Sequence, residues 1–142
     1  MKWFLLIVCG LSLMVGCSRE PSESTMAIQI EQQINQQFGV EFVNITNFHK
    51  TNGKKDGDGE YIANVEYDIV FTKDVDEVAI NMIYGEQQST LSNSEAAVRD
   101  VLAGVGAIGL QMAFGKFKKG DKKHIKSTQK FAKWDDGWLL IE

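Results

Sequence analysis

The sequence predicts an α+β fold: an N-terminal helix, an antiparallel sheet of four to five strands built from hairpins, and an additional apolar helix inserted before the C-terminal hairpin. Three observations predict it. Apolar residues recur at helical spacing in two segments, they alternate strictly in a third, and an Asp-Gly pair near the end separates two runs rich in β-forming residues. A length of 142 residues indicates one globular domain.

The first helix is predicted over residues 26–38, where Ala27, Ile30, Ile34 and Phe38 share a face and a glycine follows as a stop. The next apolar segment, 40–50, predicts a strand with a bulge near Thr46, because its apolar residues change face there. Residues 51–60 have the composition of a loop, and residues 61–71 alternate apolar and polar side chains, as a strand with one buried face does.

The remaining strands are short. Val78, Ile80, Met82 and Tyr84 alternate and predict one further strand. Strands at about 123–134 and 138–142 should form a hairpin, because the pair at 136–137 is Asp-Gly and suits a type I′ turn.

The inserted helix is predicted over residues 94–114. Its apolar seam has the 3,4 spacing of a helix: Val98, Val101, Val105, Ile108 and Met112. Gln111 is its only polar residue after Asp100, so the helix should be covered on every side. Two interpretations stay open for Val101, Val105, Ile108 and Phe114: they line a closed pocket for a hydrophobic ligand, or they form an exposed patch for a protein partner, for self-association or for contact with lipid.

Residues 1–17 are predicted to be a signal segment. Lys2 provides a cationic start, and residues 3–15 form an apolar run that is shorter than the roughly 20 residues of a spanning helix. The order Met14, Val15, Gly16, Cys17 resembles the lipobox of bacterial lipoproteins, although leucine is usual where Met14 stands.

This resemblance implies cleavage between Gly16 and Cys17 and fatty acylation of Cys17. The lipid anchor would then hold the protein at a membrane of the cell envelope, and Ser18 after the cysteine resembles the pattern of outer-membrane lipoproteins facing the periplasm. The expected organisation is a signal peptide at 1–16, a lipidated cysteine and tether at 17–25, and one domain at 26–142. The alternative is an ordinary signal peptide and a free secreted protein with a lone thiol.

Positive charge is concentrated near the C-terminus, where residues 116–133 contain eight lysines and one acidic residue. Five of these lysines are candidates for contact with an anionic surface such as lipid headgroups: Lys118, Lys119, Lys122, Lys123 and Lys126. The alternative is a strand whose lysines prevent edge-to-edge association. The run lacks arginine and a stacking platform, so no nucleic-acid partner is predicted.

Two motifs are set aside by their context. GVGAIG at 104–109 matches a dinucleotide fingerprint, but it lies inside a helical pattern instead of following a strand, which favours helix packing. DGDGE at 56–60 spaces carboxylates as a calcium loop does, but Tyr61 and Tyr67 occupy the glycine and glutamate positions. A solvated hairpin loop is expected, and no cofactor or metal is predicted.

Catalysis has little support in the sequence. His49 and His124 are the two imidazoles, and neither is surrounded by a nucleophile or zinc motif. Convergence of both in one cleft would be needed for an enzyme. The leading hypothesis is a non-enzymatic, lipid-anchored interaction module, with a carrier of lipids or small hydrophobic ligands as the alternative.

A weak resemblance accompanies this prediction. The leading helix followed by hairpins, and the ending FAKWDDGW, are similar to cystatin-like domains of small bacterial lipoproteins over residues 26–72 and 117–142. The resemblance implies an α+β fold. It includes no inhibitor motif, so it implies no protease inhibition.

Overall fold

The computed structural model describes residues 20–85 and 93–141, with side chains described for 20–85 and 100–141. The predicted signal segment, including Gly16 and Cys17, lies outside the described residues. Three helices and four strands follow one another in this order: α1 (Glu23–Phe38), β1 (Val43–Lys55), β2 (Glu60–Phe71), α2 (Val75–Tyr84), α3 (Asn93–Phe114), β3 (Lys122–Trp134) and β4 (Gly137–Leu140). The strands form one antiparallel sheet in the order β1-β2-β3-β4, which confirms the predicted α+β fold class.

Helix α1 begins three residues before its predicted start. Ser22 caps it, since the Ser22 hydroxyl accepts a hydrogen bond from the Thr25 N–H at 3.2 Å. Gly39 ends the helix with a φ of 67°. Pro21, which the sequence places in a solvated tether, is fully buried. The folded domain therefore includes most of the segment that was expected to be a tether.

Strand β2 is the central element of the core, and its predicted alternation is confirmed. Every second side chain from Tyr61 to Phe71 is buried. Residues of α1 and of neighbouring strands complete this core, among them Met26, Ile30, Phe42 and Phe131. One face of the sheet is thus apolar, and the other presents polar side chains to solvent.

Strand β1 contains the predicted bulge and is longer than predicted. Its register with β2 shifts between Thr46 and His49, and Asn47 has a φ of 50°. The predicted loop at 51–60 is wrong over its first half, because β1 continues to Lys55 and the connecting turn occupies only residues 56–59. Gly53 explains the difference: a Cβ at this position would lie 2.0 Å from the Tyr61 hydroxyl, so the glycine lets the strand pass beside the tyrosine.

The short strand predicted at 78–84 is wrong, because this segment is helix α2. The buried residues Val78 and Ala79 are adjacent in sequence, which fits a helical face and not an alternating strand. Val75 lies one helical turn before them and is partly buried against the core. The helix follows Asp74 in extended conformation and ends at Gly85.

The C-terminal hairpin is present, but its turn differs from the predicted one. Trp134 pairs with Gly137, so Asp135 and Asp136 are the two turn residues. Gly137 has a φ of 135°, and Asn47 is the one non-glycine residue with positive φ in the described chain. The turn is therefore not the type I′ turn expected at 136–137, which requires two positive φ angles.

Candidate functional site

The exposed side of α3 is an uninterrupted apolar surface. Its bulky residues Val101, Val105, Ile108 and Met112 are 69, 66, 60 and 83% exposed, and we call these four residues the α3 face. No charged residue occurs in the sequence from 101 to 115. Contrary to expectation, the described part of the chain does not cover α3 on every side, since the α3 face is exposed.

The buried side of α3 consists of small residues and one leucine. Ala103, Ala107 and Leu110 belong to the core, and α3 packs against α2. At the closest point, a Cβ added to Gly106 would lie 3.4 Å from the Ala79 Cβ. Small side chains allow the two helices to approach closely, so the bulky seam turns outward instead of inward.

Phe114 lies in a different environment from the α3 face. It is partly buried and contacts four other phenylalanines at centroid distances of 5.5 to 6.4 Å: Phe38, Phe42, Phe71 and Phe117. The Lys123 ammonium also donates a hydrogen bond to the Phe114 carbonyl at 2.9 Å. Phe114 therefore attaches the end of α3 to the sheet and does not share the exposed surface of Val101, Val105 and Ile108.

The five candidate lysines do not converge on one surface. Lys118 and Lys119 lie in the connection between α3 and β3. Lys122 and Lys126 lie on the polar face of β3, where the Lys126 ammonium pairs with Glu66 at 2.8 Å. Lys123 points to the opposite face, toward Phe114. A single cationic patch is therefore not formed by this set.

The two histidines lie on the open polar face of the sheet, on either side of β2. His49 is opposite Glu66 and His124 is opposite Asp68. The backbones of β1 and β3, which carry the two histidines, are two strand spacings or about 10 Å apart. Both side chains are exposed, so they flank a row of carboxylates and do not meet in a cleft.

The carboxylates between the histidines are well paired, which sequence reasoning did not foresee. Asp68 accepts a hydrogen bond from the Asn47 amide at 2.8 Å and contacts the His124 Nδ1 at 2.8 Å, and both contacts lower its pKa. The Lys126 ammonium lowers the pKa of Glu66. The only sequence signal was the alternation of charge along β2, which gives no strand register.

A second polar cluster attaches the start of the chain to the sheet. The Glu20 carboxylate accepts hydrogen bonds from the Lys50 ammonium at 2.9 Å and from the Tyr61 hydroxyl at 2.7 Å. Lys50 lowers the pKa of Glu20, and burial raises the pKa of Tyr61. This cluster attaches residue 20, three residues after Cys17, to the middle of β1 and the start of β2.

The motifs GVGAIG and DGDGE lie inside α3 and at the β1–β2 turn, respectively. Residues 104–109 lie inside α3, so GVGAIG is not a phosphate-binding turn. Asp56 and Glu60 at the β1–β2 turn both face the Lys130 ammonium, at 3.8 and 2.8 Å. In the described ranges no group of three or more His, Cys, Asp or Glu side chains is placed to hold a metal ion.

The described clefts have both polar and apolar lining residues. One lies beside α1 and is lined by side chains that include Glu31, Gln32, Asn35 and Gln36.

None of the helices in the described ranges is long and apolar enough to cross a bilayer. No protein-family model, curated protein or solved structure matches the chain.

Proposed function

We propose that the chain is a non-enzymatic, lipid-anchored protein of the cell envelope, whose domain binds a protein partner through the α3 face at the periplasmic side of the membrane. The observation that carries the binding role is the exposure of Val101, Val105, Ile108 and Met112 on one uncharged helix face. Exposed apolar patches of this kind mark interaction sites in soluble domains.

The anchor is supported by the lipobox-like order that ends at Cys17. Three residue steps separate Cys17 from Glu20, and an extended chain covers at most about 11 Å over three steps. Because Glu20 is bonded to Lys50 and Tyr61, an acylated Cys17 would hold the domain close to the lipid headgroups. We propose the outer membrane as the location, from Ser18.

The geometry favours a binding module over a carrier. A carrier needs a concave, mostly apolar cavity. Val101, Val105 and Ile108 instead point to solvent, and Phe114 packs among phenylalanines. The cleft beside α1 is lined by carboxylate and amide side chains together with Val40 and Val43, so it offers a lipid tail no predominantly apolar cavity.

The anchor is tested by mass spectrometry of the N-terminal peptide from chain purified out of bacterial membranes. We expect a peptide that begins at Cys17 and carries three acyl chains, and we expect the Cys17→Ser variant to lose both the acylation and the membrane association. A mature chain that begins elsewhere, or a bare thiol at Cys17, would refute the anchor.

The binding role is tested by a photoactivatable amino acid at position 105 of the full chain, with position 28 of α1 as the matched control. Ile28 is 56% exposed and does not belong to the α3 face. We expect a protein adduct from position 105 that disappears when Ile108→Glu is added, and none from position 28. Equal labelling from both positions, or no adduct, would contradict binding through α3.

A further inference from the structure

We infer that the partner of the α3 face is a second copy of this chain, and that the two α3 helices pack against each other about a two-fold axis. This inference rests on the proposed function and names the partner in it. The seam of four bulky residues has the alternating spacing of four and three residues by which two helices pack side by side.

Self-association requires a surface that is complementary to itself. In a two-fold dimer the same patch occurs on both sides, so a charge near the axis would meet the same charge of the other copy. The absence of charge from 101 to 115 removes this repulsion over the whole seam. A foreign partner is usually selected by charges at the rim of the contact, and this segment of α3 offers none.

The apolar side chains of α3 supply part of the area that a specific contact needs. A 22-residue helix is about 33 Å long. A specific interface buries roughly 800 Å² on each partner. The α3 face and the neighbouring Leu102, which is also exposed, supply five large apolar side chains toward this area. Confinement to a membrane by the proposed anchor would raise the effective concentration of the two copies.

The position of the α3 face favours a second copy over the anchoring bilayer. Phe114 at the end of α3 packs 5.5 Å from Phe38 at the end of α1, whereas Glu20 precedes the start of α1. Helix α1 is about 24 Å long. Met112 therefore lies far from the anchored end, and the bilayer reaches it only if α1 lies along the membrane. A neighbouring copy meets no such restriction.

The experiment uses two differently tagged full-length chains in one membrane, each with Val105→Cys, and a short bis-maleimide. We expect a species of twice the mass that contains both tags. The matched controls are Ile28→Cys and the unsubstituted chain. Neither control should give the species of twice the mass. Adding Ile108→Glu should reduce the yield at least about tenfold, because an unpaired charge would be buried at the contact. At a concentration below that of self-association, its urea midpoint should match that of the unsubstituted chain, since Ile108 is exposed in one copy.

The other outcomes separate this inference from the proposed function. An adduct between Val105→Cys and a different protein would overturn self-association and leave the proposed binding role intact. Quenching of a fluorophore on Val105→Cys by bromine-labelled acyl chains would place the face in the bilayer and overturn both. A fluorophore fully exposed to water, without any adduct, would also overturn both.

Discussion

The side-chain carbonyl of Gln29 in α1 accepts a hydrogen bond from the backbone N–H of Leu140 in β4 at 2.5 Å. The amide of the same side chain donates to the Trp138 carbonyl, also at 2.5 Å. On the opposite edge of the sheet, Asn35 and Glu31 bind backbone groups of β1. Side chains of α1 thus form hydrogen bonds with backbone groups at both edges of the sheet. The short strand β4 is held in place by the two bonds from Gln29.

Replacing Gln29 by alanine should therefore lower the free energy of unfolding by about 1–3 kcal/mol, because two partly buried backbone groups of β4 lose their partner. The matched control is Gln37→Ala on the exposed side of α1, which should change stability by less than about 0.5 kcal/mol. Urea unfolding of both variants checks this. Equal effects would show that Gln29 does not hold β4.

The two sides of α3 should respond differently to truncation. Leu110 is fully buried, so Leu110→Ala should lower the free energy of unfolding by about 2–5 kcal/mol. Ile108→Ala, two residues away on the exposed side, should change it by less than about 0.5 kcal/mol when measured below the concentration of any self-association. If denaturant titrations showed a larger decrease in the free energy of unfolding for Ile108→Ala, the side of α3 that carries Ile108 would be the buried side.

The sequence predicted that α3 is a helix, but it did not predict which side of the helix is buried. The helical period of residues 94–114 was predicted, because it is a local property of the sequence. Which side is buried depends on α2, and α2 was mistaken for a strand because its apolar residues fit both periods. The burial of Ala107 and Leu110 and the close approach of Gly106 to Ala79 reveal that the small side of α3 faces the core.

For the strands, the buried face could be predicted from the sequence, but the register between strands could not. The alternation along β2 predicted its buried face correctly, since alternation needs no knowledge of partners. The pairing of Glu66 with Lys126, and of Asp68 with His124, depends on the register between β2 and β3, which are separated by two helices in the chain. The sequence contained these charges but no measure of their distance.

Two glycines should respond in opposite directions to alanine. Gly53→Ala should destabilise the chain, because the added Cβ would overlap the Tyr61 hydroxyl and displace it from Glu20. Gly104→Ala should stabilise α3 by up to about 1 kcal/mol, since its Cβ would meet nothing within 4 Å and alanine favours helix. Thermal unfolding of both variants, measured in parallel, checks the two signs. A stable Gly53→Ala variant would contradict the described path of β1.

The carboxylates on the polar sheet face should make stability fall in acid. The pKa values of Glu66 and Asp68 are lowered in the folded chain, by Lys126 and by Asn47 with His124 respectively. A lowered pKa means that the stabilisation is present above the unfolded pKa of about 4, and is lost as the pH falls through the folded pKa. The urea midpoint should therefore decrease below about pH 4.

The double variant Glu66→Gln, Asp68→Asn should have a lower urea midpoint than the unsubstituted chain near neutral pH and a flatter acid limb, because neither substituted side chain takes up a proton. Thr128→Ala is the matched control: it removes a 2.8 Å hydrogen bond to Asn64 on the same face without removing a titrating group. It should lower the midpoint at every pH by a similar amount. If the double variant retained the full acid dependence, the loss of stability in acid would originate from other carboxylates, and the pairs across β2 and β3 would contribute little to it.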